Sequence, residues 1–548
     1  MACTKPASLW EPLPIVKEAA TRFIREYESN GVPKWVENFH SPLNDLPIAE
    51  VMKDYMHDAF ILNLQRYAAK YLDDGLGIMV IPNLYYVDEV PTFKPCLYVS
   101  SPAEVLRLGR THVSKDRELS LFESKHVVNH PNKDDWRRQR RHMMDAFLPL
   151  GPIQSFVPTL DEMACTMCDK WNGFAQRRPV LLDVRAWMHH TALAMFIRCM
   201  IGDDRAYSRL PDIAPGKKFQ IMVKYEDDLK FGESTPEHSS IPRSLFNLES
   251  IGPQTNKRRE ARVEKMGLYI FKFIDRGVKK LKRNERVGPL FERILELKDD
   301  EEKFQNMAAT LIAGHDTTAY TMQFCLFELS RNPRFQHRAR EECCRILDAI
   351  EEEGRSMELS DIPKFEFLTK CICETLRFWN VASLVFPRVF AYDDELPGRH
   401  ASTTKLAQGS KFSFWYYGQH HSKQLWGDDA MDFNPDREWR KEELQLSTNP
   451  AAITQGIAMT PCTERFHPFS VPTRDCMGKN FALTEMRILL PRILRHFHLE
   501  VPDGSDLLKV KPVYTDPVYA KWAREIGGPP QAHKMMLRVI PNGTMGKM

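Results

Sequence analysis

Apolar and polar positions along this chain divide it mainly into helical stretches separated by Pro and Asn breaks. Residues 1 to 75 alternate amphipathic helical patterns with such breaks, as in the run from Ile48 to Leu72. Two short strand patterns follow, Gly77–Ile81 and Leu97–Ser100, separated by a Pro-marked turn. Ser101-Pro-Ala-Glu104 has the spacing of a capping box opening a helix. Phe304 to Arg331 predicts one long, mostly apolar helix, stopped by Asn332-Pro333. A helix from Phe365 to Trp379 is expected next, with Asp361 as its N-cap and Pro363 early. After Phe481, apolar side chains at 482, 486, 489/490, 493 and 497 again have helical spacing. Asp227 to Glu260 turns polar and Pro-rich, and predicts a loop rather than a domain linker because helical patterning resumes on both sides.

Composition narrows the class. The chain has 548 residues, 43% hydrophobic and 27% charged, which permits a sizeable buried core. A net charge of +3 demands no nucleic-acid partner. Twelve cysteines are scattered without paired spacing and follow no signal peptide, so free thiols in a reducing, intracellular setting are expected. No apolar run reaches the roughly 18 residues of a membrane span. The expectation is a cytoplasmic or peripherally membrane-associated protein with no transmembrane anchor evident.

Chemistry concentrates in a few places. Cys476 stands at the end of an irregular, Pro-containing loop and at the mouth of a helix, where free N–H groups and the dipole favour thiolate. Arg474 adds a cation two residues away. Such a thiolate is a nucleophile or a metal ligand, and these residues alone leave that open. In the middle of the long helix stands Ala313-Gly314-His315-Asp316-Thr317-Thr318, which local propensity disfavours. Glycine costs roughly 1 kcal/mol there against alanine. A buried acid and alcohol beside a small residue leave room for a diatomic ligand and supply proton-relay groups, whereas a lone Asp-Thr-Thr can also be a helix distorted by threonine back-bonding.

Other features have plain readings beside the functional ones. Trp136 and Arg140 share a helix face while Arg137, Arg138 and Arg141 point elsewhere, and an isolated basic run is ordinarily a solvated face. Glu374 and Arg377 are three apart, ordinarily a surface pair worth ~0.2–0.5 kcal/mol. Cys165 and Cys168 have no second pair at zinc spacing, so they are core. His189-His190 has no ligand partner pattern and sits on a helix. No Gly-rich flavin or nicotinamide fingerprint is present.

Jointly, in order, these motifs resemble the cytochrome P-450 family. Its haem-ligand loop, F-x-x-G-x-R-x-C-x-G, is matched at Phe469, Arg474, Cys476 and Gly478, with Pro472 where the family has glycine. W-x-x-x-R is matched at Trp136 and Arg140, A-G-x-D-T-T at 313–318, and E-x-x-R at Glu374 and Arg377. F-x-P-E-R is matched by Phe433-Asn-Pro435-Asp-Arg437, with Asp436 for glutamate, and Asn380-Val381 replaces the usual P-P.

The resemblance implies one mainly α domain with small β-sheets over residues 1–548: an N-terminal helical extension and access region at 1–75, and a haem-binding catalytic core at 76–548. Haem b would lie between the long central helix and the cysteine-loop helix, with Cys476 as axial iron ligand. Trp136, Arg140, Arg388 and Arg474 would neutralise its propionates, and Ala313, Gly314, Phe469 and Gly478 would line it. Asp316 and Thr317 would guide protons to dioxygen. Glu374, Arg377 and Arg437 would form a buried structural triad holding the cysteine loop.

The implied activity inserts one oxygen atom of O2 into a small apolar organic substrate, with electrons from a separate reductase, which Arg137, Arg138 and Arg141 could dock. Lys411–Asp436 most resembles fatty-acid-hydroxylating members, pointing to a fatty acid or other lipid. Asp227–Glu260 would be the lid of the substrate channel. Two alternatives remain: a peroxygenase or isomerase of oxygenated lipids needing no reductase, against which the intact Asp316-Thr317 pair speaks, and a non-catalytic haem-binding protein with Pro472 as the damage. Pro472 lacks an N–H and fixes φ near −65°, which predicts a locally altered loop with ligation retained.

Overall fold

The computed structural model describes residues 14–57, 60–87, 90–116, 125–175, 179–202, 223–225, 270, 274–382, 387–444, 463–503, 505 and 535–542. The Asp227–Glu260 loop lies outside them. Helices of ten or more residues are α1 (Pro14–Asn30), α2 (Ile48–His57), α3 (Phe60–Tyr71), α4 (Pro102–Thr111), α5 (Lys133–Met144), α6 (Gln154–Ala175), α7 (Val184–Phe196), α8 (Asp300–Arg331), α9 (Pro333–Glu352), α10 (Glu366–Phe378) and α11 (Lys479–His496). The strands are β1 (Ile78–Val87), β2 (Val90–Val99), β3 (Val180–Asp183), β4 (Val223–Tyr225), β5 (Arg388–Val389), β6 (Asp394–Pro397), β7 (Thr403–Leu406), β8 (Lys411–Phe414), β9 (Phe497–Glu500) and β10 (Met536–Pro541). They form two four-stranded sheets, β1-β2-β8-β5 and β4-β3-β10-β9, and the hairpin β6-β7. The chain has the mainly helical fold with small sheets that its sequence implies.

Helix α8 is the axis of the larger core. Asp299 caps it by accepting from the Glu301 N–H at 2.9 Å, one turn earlier than the apolar pattern begins. From Gln305 to Ser330 its residues are buried with three exceptions, Ala313, Gly314 and Thr317. Around it pack α7, α10 and α11, joined by Trp379 stacked on Phe324 with centroids 4.4 Å apart. The N-terminal segment is part of a second core: Ala19, Ala20 and Phe23 of α1 share it with Val80, Leu97 and Phe412 of the first sheet.

Three local expectations change. The first strand pair is a longer hairpin, in register Ile78↔Val99 through Val87↔Val90. Ser101 stands before α4 without any side-chain cap bond. Asp361 is not the cap of α10; it lies in the preceding turn, paired with Arg355 and Lys364. The open N–H groups of Phe367 and Leu368 donate instead to Glu342 of α9, at 2.8 and 2.9 Å. A carboxylate there also meets the positive end of the helix, and a residue 25 positions away gives no local signal. Among the described residues no helix is long and apolar enough to cross a membrane.

Candidate active site

The cysteine loop is assembled from both ends. The Cys476 N–H donates to the Phe469 carbonyl at 2.9 Å, closing the loop just before α11. Ser470 sits at φ 64°, and its N–H donates to His467 at 3.1 Å. The Tyr416 hydroxyl lies 3.0 Å from Ser470 Oγ. Cys476 is exposed, whereas Val471, Arg474 and Asn480 around it are buried. Low-polarity surroundings raise its thiol, and Asp475 adds to that, against the Gly478 N–H, Arg140 and Lys479. The helix N-terminus therefore does not by itself outweigh burial at this thiol, and a bound metal ion would favour its thiolate form.

The cations are distributed differently from expectation. Arg140 donates to the Asp475 carbonyl at 2.6 Å and its carboxylate at 2.7 Å, and Lys479 pairs with the other carboxylate oxygen at 2.5 Å. Asp475, which no motif singled out, therefore ties α5 to the loop. Arg474 turns away from the sulfur: its Nε donates to Val113 O at 3.1 Å, Nη2 donates to His130 O, and its guanidinium stacks on Trp136 at 4.2 Å.

Arg388, wholly buried on β5, donates from Nη1 to Gly109 O at 3.0 Å. Its Nε and Nη2, and Arg474 Nη1, are buried without a partner. Lys115, also buried, is placed beside both by its bridge to Arg388. Burial lowers all three, Arg388 to about 10 and Arg474 to about 8, with repulsion from Arg388 adding to the effect on Lys115 and Arg474. Among the described residues, the buried guanidinium donors that Arg388 and Arg474 leave unused call for an anionic ligand. These features fit a haem: its carboxylates would meet the unused donors of Arg388 and Arg474, and the Cys476 thiol would take its metal. Lys115 was missed because it lies in no motif; only the strand bridge reveals it.

Helix α8 leaves Ala313, Gly314 and Thr317 open within its otherwise buried stretch. Thr317 Oγ1 donates back to Ala313 O at 3.0 Å. The space at Gly314 is not left for a ligand: a Cβ there would lie 2.2 Å from Phe196 Cε2, so the glycine exists to seat that ring. Phe196 in turn meets Phe481 of α11 at 6.0 Å, joining the two walls of the site.

Asp316 is fully buried and faces away, toward α7, with Oδ1 2.9 Å from His189 Nδ1. His315 converges on the same point, the ligating atoms of the three residues lying within 4.8 Å. His189 thus has a partner that its sequence neighbourhood hid, because the partner is 127 positions later on another helix.

Glu374 is wholly buried and held by two arginine forks, Arg377 at 2.8 and 2.8 Å and Arg437 at 2.8 and 2.9 Å. Arg377 also donates to His420 O at 2.6 Å, and His420 Nε2 accepts the His467 N–H at 3.0 Å. Through His420 the triad reaches the first residues of the cysteine loop. Cys165 and Cys168 are free thiols, and on the exposed side of α5 Arg138 pairs with Glu302 at 2.6 Å.

Comparison with known proteins agrees with this geometry. Residues 101–518 match the family model described as Cytochrome P450. The chain is 25% identical over 394 residues to the human protein Cytochrome P450 4F12, covering 68% of each chain. It is 31% identical over 223 residues to Cytochrome P450 52A3-A of Candida maltosa, covering 39% of each. It is 24% identical over 392 residues to the mouse protein Leukotriene-B4 omega-hydroxylase 3, covering 68% of each.

Proposed function

This chain belongs to the cytochrome P450 family and is a haem-thiolate monooxygenase, and on that premise we propose that it hydroxylates a long, apolar lipid such as a fatty acid. The observation that carries the substrate class is kinship with a relative named as a leukotriene omega-hydroxylase. Leukotriene B4 is itself a long-chain carboxylic acid, so the relative's name describes oxidation of an unactivated hydrocarbon chain.

Haem b, when bound, supplies reduction of dioxygen and insertion of one oxygen atom into a C–H bond. The chain's own residues do the rest. Cys476 would ligate the iron and supply it with electron density. Arg388 and Arg474, with Trp136 against Arg474, would hold its carboxylates. Ala313 keeps the reacting face of α8 shallow. Thr317 presents a hydroxyl to that face, and Asp316, which faces α7 in this structure, would have to turn to pass it a proton. Electrons come from a separate reductase, since the chain carries no nucleotide fingerprint.

The test is a panel of fatty acids, sterols and aromatics, scored by substrate-induced shifts of the haem spectrum. Products are then identified with NADPH and a reductase, or with peroxide alone. Long-chain acids should shift the spectrum and gain one oxygen atom only with the reductase. Response to aromatics alone would sink the lipid reading, and turnover on peroxide alone would sink the reductase.

A further inference from the structure

His189 has no metal-ligand spacing along the chain, but the fold supplies partners for one across it. His315 and Asp316 are neighbours on α8, so their side chains diverge by about 100°. His189 of α7 enters the wedge between them: its Nδ1 is 2.9 Å from Asp316 Oδ1, and its ring centroid is 6.4 Å from that of His315. The short contact does not have the angles of a hydrogen bond, since Oδ1 receives none there. All three side chains are buried, and each brings one ligating atom to a point where the three atoms lie within 4.8 Å of one another. Two imidazoles and a carboxylate, from two helices, thus share one interior spot.

The rings are oriented for ligation. His315 Nδ1 lies 2.6 Å from the Leu311 carbonyl. A carbonyl only accepts, so Nδ1 carries the proton and the neutral ring keeps its lone pair on Nε2. Metal-binding histidines are ordinarily held in this way, by a second nitrogen that donates to a carbonyl or carboxylate. The His189 ring stands edge-on to Tyr320, with centroids 4.5 Å apart, and its Nε2 is buried without a hydrogen-bond partner. A carboxylate offers about four lone-pair positions, so Asp316 can ligate through one and keep its other contacts. We propose that His189, His315 and Asp316 form a binding site for a divalent cation of the zinc type. Two imidazoles, one carboxylate and a fourth position for water are a donor set that zinc takes, whereas calcium and magnesium require more oxygens. Donors around a tetrahedral zinc ion sit roughly 3.3 Å apart, so the most distant pair must draw in by up to about 1.5 Å. A bound ion would tie α7 to α8 and stabilise the folded state, because the unfolded chain has no such site.

The experiment uses the full-length, haem-loaded protein, in which Cys476 is occupied and does not compete for the probe. After treatment with a chelator it is dialysed against micromolar zinc chloride, and zinc per haem is counted by elemental analysis. One zinc per haem should be retained. Its X-ray absorption fine structure should show only nitrogen and oxygen neighbours, at about 2.0–2.1 Å, with no sulfur at about 2.3 Å. Urea midpoints should rise with zinc. His189→Phe and His315→Phe, which keep an aromatic ring but no ligating atom, should each weaken binding more than tenfold and abolish the rise. His337→Phe, which removes an exposed histidine paired with Glu341 on α9, should leave both unchanged.

No zinc retained by the parent would overturn the proposal. So would a sulfur shell, which would put the ion on thiols such as Cys165 and Cys168. Binding undiminished in His189→Phe and His315→Phe would overturn it as well, by placing the zinc on surface groups. Should either variant not load haem, His189→Gln or His315→Gln carries the same comparison, because a neutral amide is a poor zinc ligand, with the same results expected and the same results fatal. Every readout is of the metal and of stability, so the outcome stands whatever lipid the enzyme hydroxylates.

Discussion

Gly314→Ala sets two effects of known size against each other. An alanine in place of glycine inside a helix stabilises by about 1 kcal/mol through chain entropy. Here, however, the added Cβ would lie 2.2 Å from Phe196 Cε2 and 2.6 Å from both Cδ2 and Cζ. Carbon atoms pack best at about 3.5–4.0 Å, so the ring must retreat by more than an ångström. Phe196 is 1% exposed and has the Phe481 ring behind it at 6.0 Å. Overpacking of a closed core costs about 1–3 kcal/mol, and with the ring backed by Phe481 the upper half of that range applies, so the clash should win by up to about 2 kcal/mol. The assay is urea unfolding of the haem-loaded protein, run as a cycle with Phe196→Leu. Gly314→Ala should lower the midpoint in the parent, and cost at least about 1 kcal/mol less once Phe196 is shortened. A Gly314→Ala protein more stable than the parent, or an equal cost in both backgrounds, would refute the reasoning.

Three further outcomes follow from the same geometry. Glu374→Ala leaves Arg377 and Arg437 as buried cations without their carboxylate, a loss of about 3–5 kcal/mol, and should abolish haem loading as read from the reduced, CO-bound spectrum. Arg388→Leu should relieve the uncompensated charge: the haem-free protein becomes more resistant to urea, while haem dissociates faster to an apo-globin acceptor. Glu328, buried against Trp379 Nε1 at 2.9 Å, has its pKa raised to about 7, mainly by burial. Its folded state holds the proton that the unfolded chain gives up from about pH 4.5, so stability declines as pH rises from 4.5 to 7 and then levels. Glu328→Gln should flatten that decline in urea midpoints measured between pH 5 and 8, and an unchanged slope would contradict it.

Much of this was legible from the order of residues, and the reasons for success and failure are physical. Helix α8 announces itself by a long apolar run ended at Asn332-Pro333, and α11 by its apolar spacing. The pair Glu374 and Arg377 was visible as an i,i+3 contact, and Arg437 joined it only through the family resemblance. What could not be read were contacts made across the fold. Asp475 reaches α5, Glu342 caps α10, Lys115 lies beside Arg388, and His189 meets Asp316. Each of these joins residues whose local sequence carries no trace of the other. Gly314 was singled out correctly as unusual in a helix, but the ring filling its space comes from α7, and no spacing on α8 predicts it.

The ties of the cysteine loop also bear on when the protein acquires its haem. Arg140 reaches Asp475 across 335 positions, and Arg474 reaches Val113 and His130 across 361 and 344. Contacts of such separation form late, because the intervening chain must first be ordered. On the ribosome, Asp475 and Cys476 emerge long after α5 and the first sheet have left it. The haem-holding end of the site is therefore closed by the last fifth of the chain folding back onto the first third. Cofactor capture is a closing event of biogenesis, and a nascent chain stalled before residue 474 has no cysteine loop with which to hold the group.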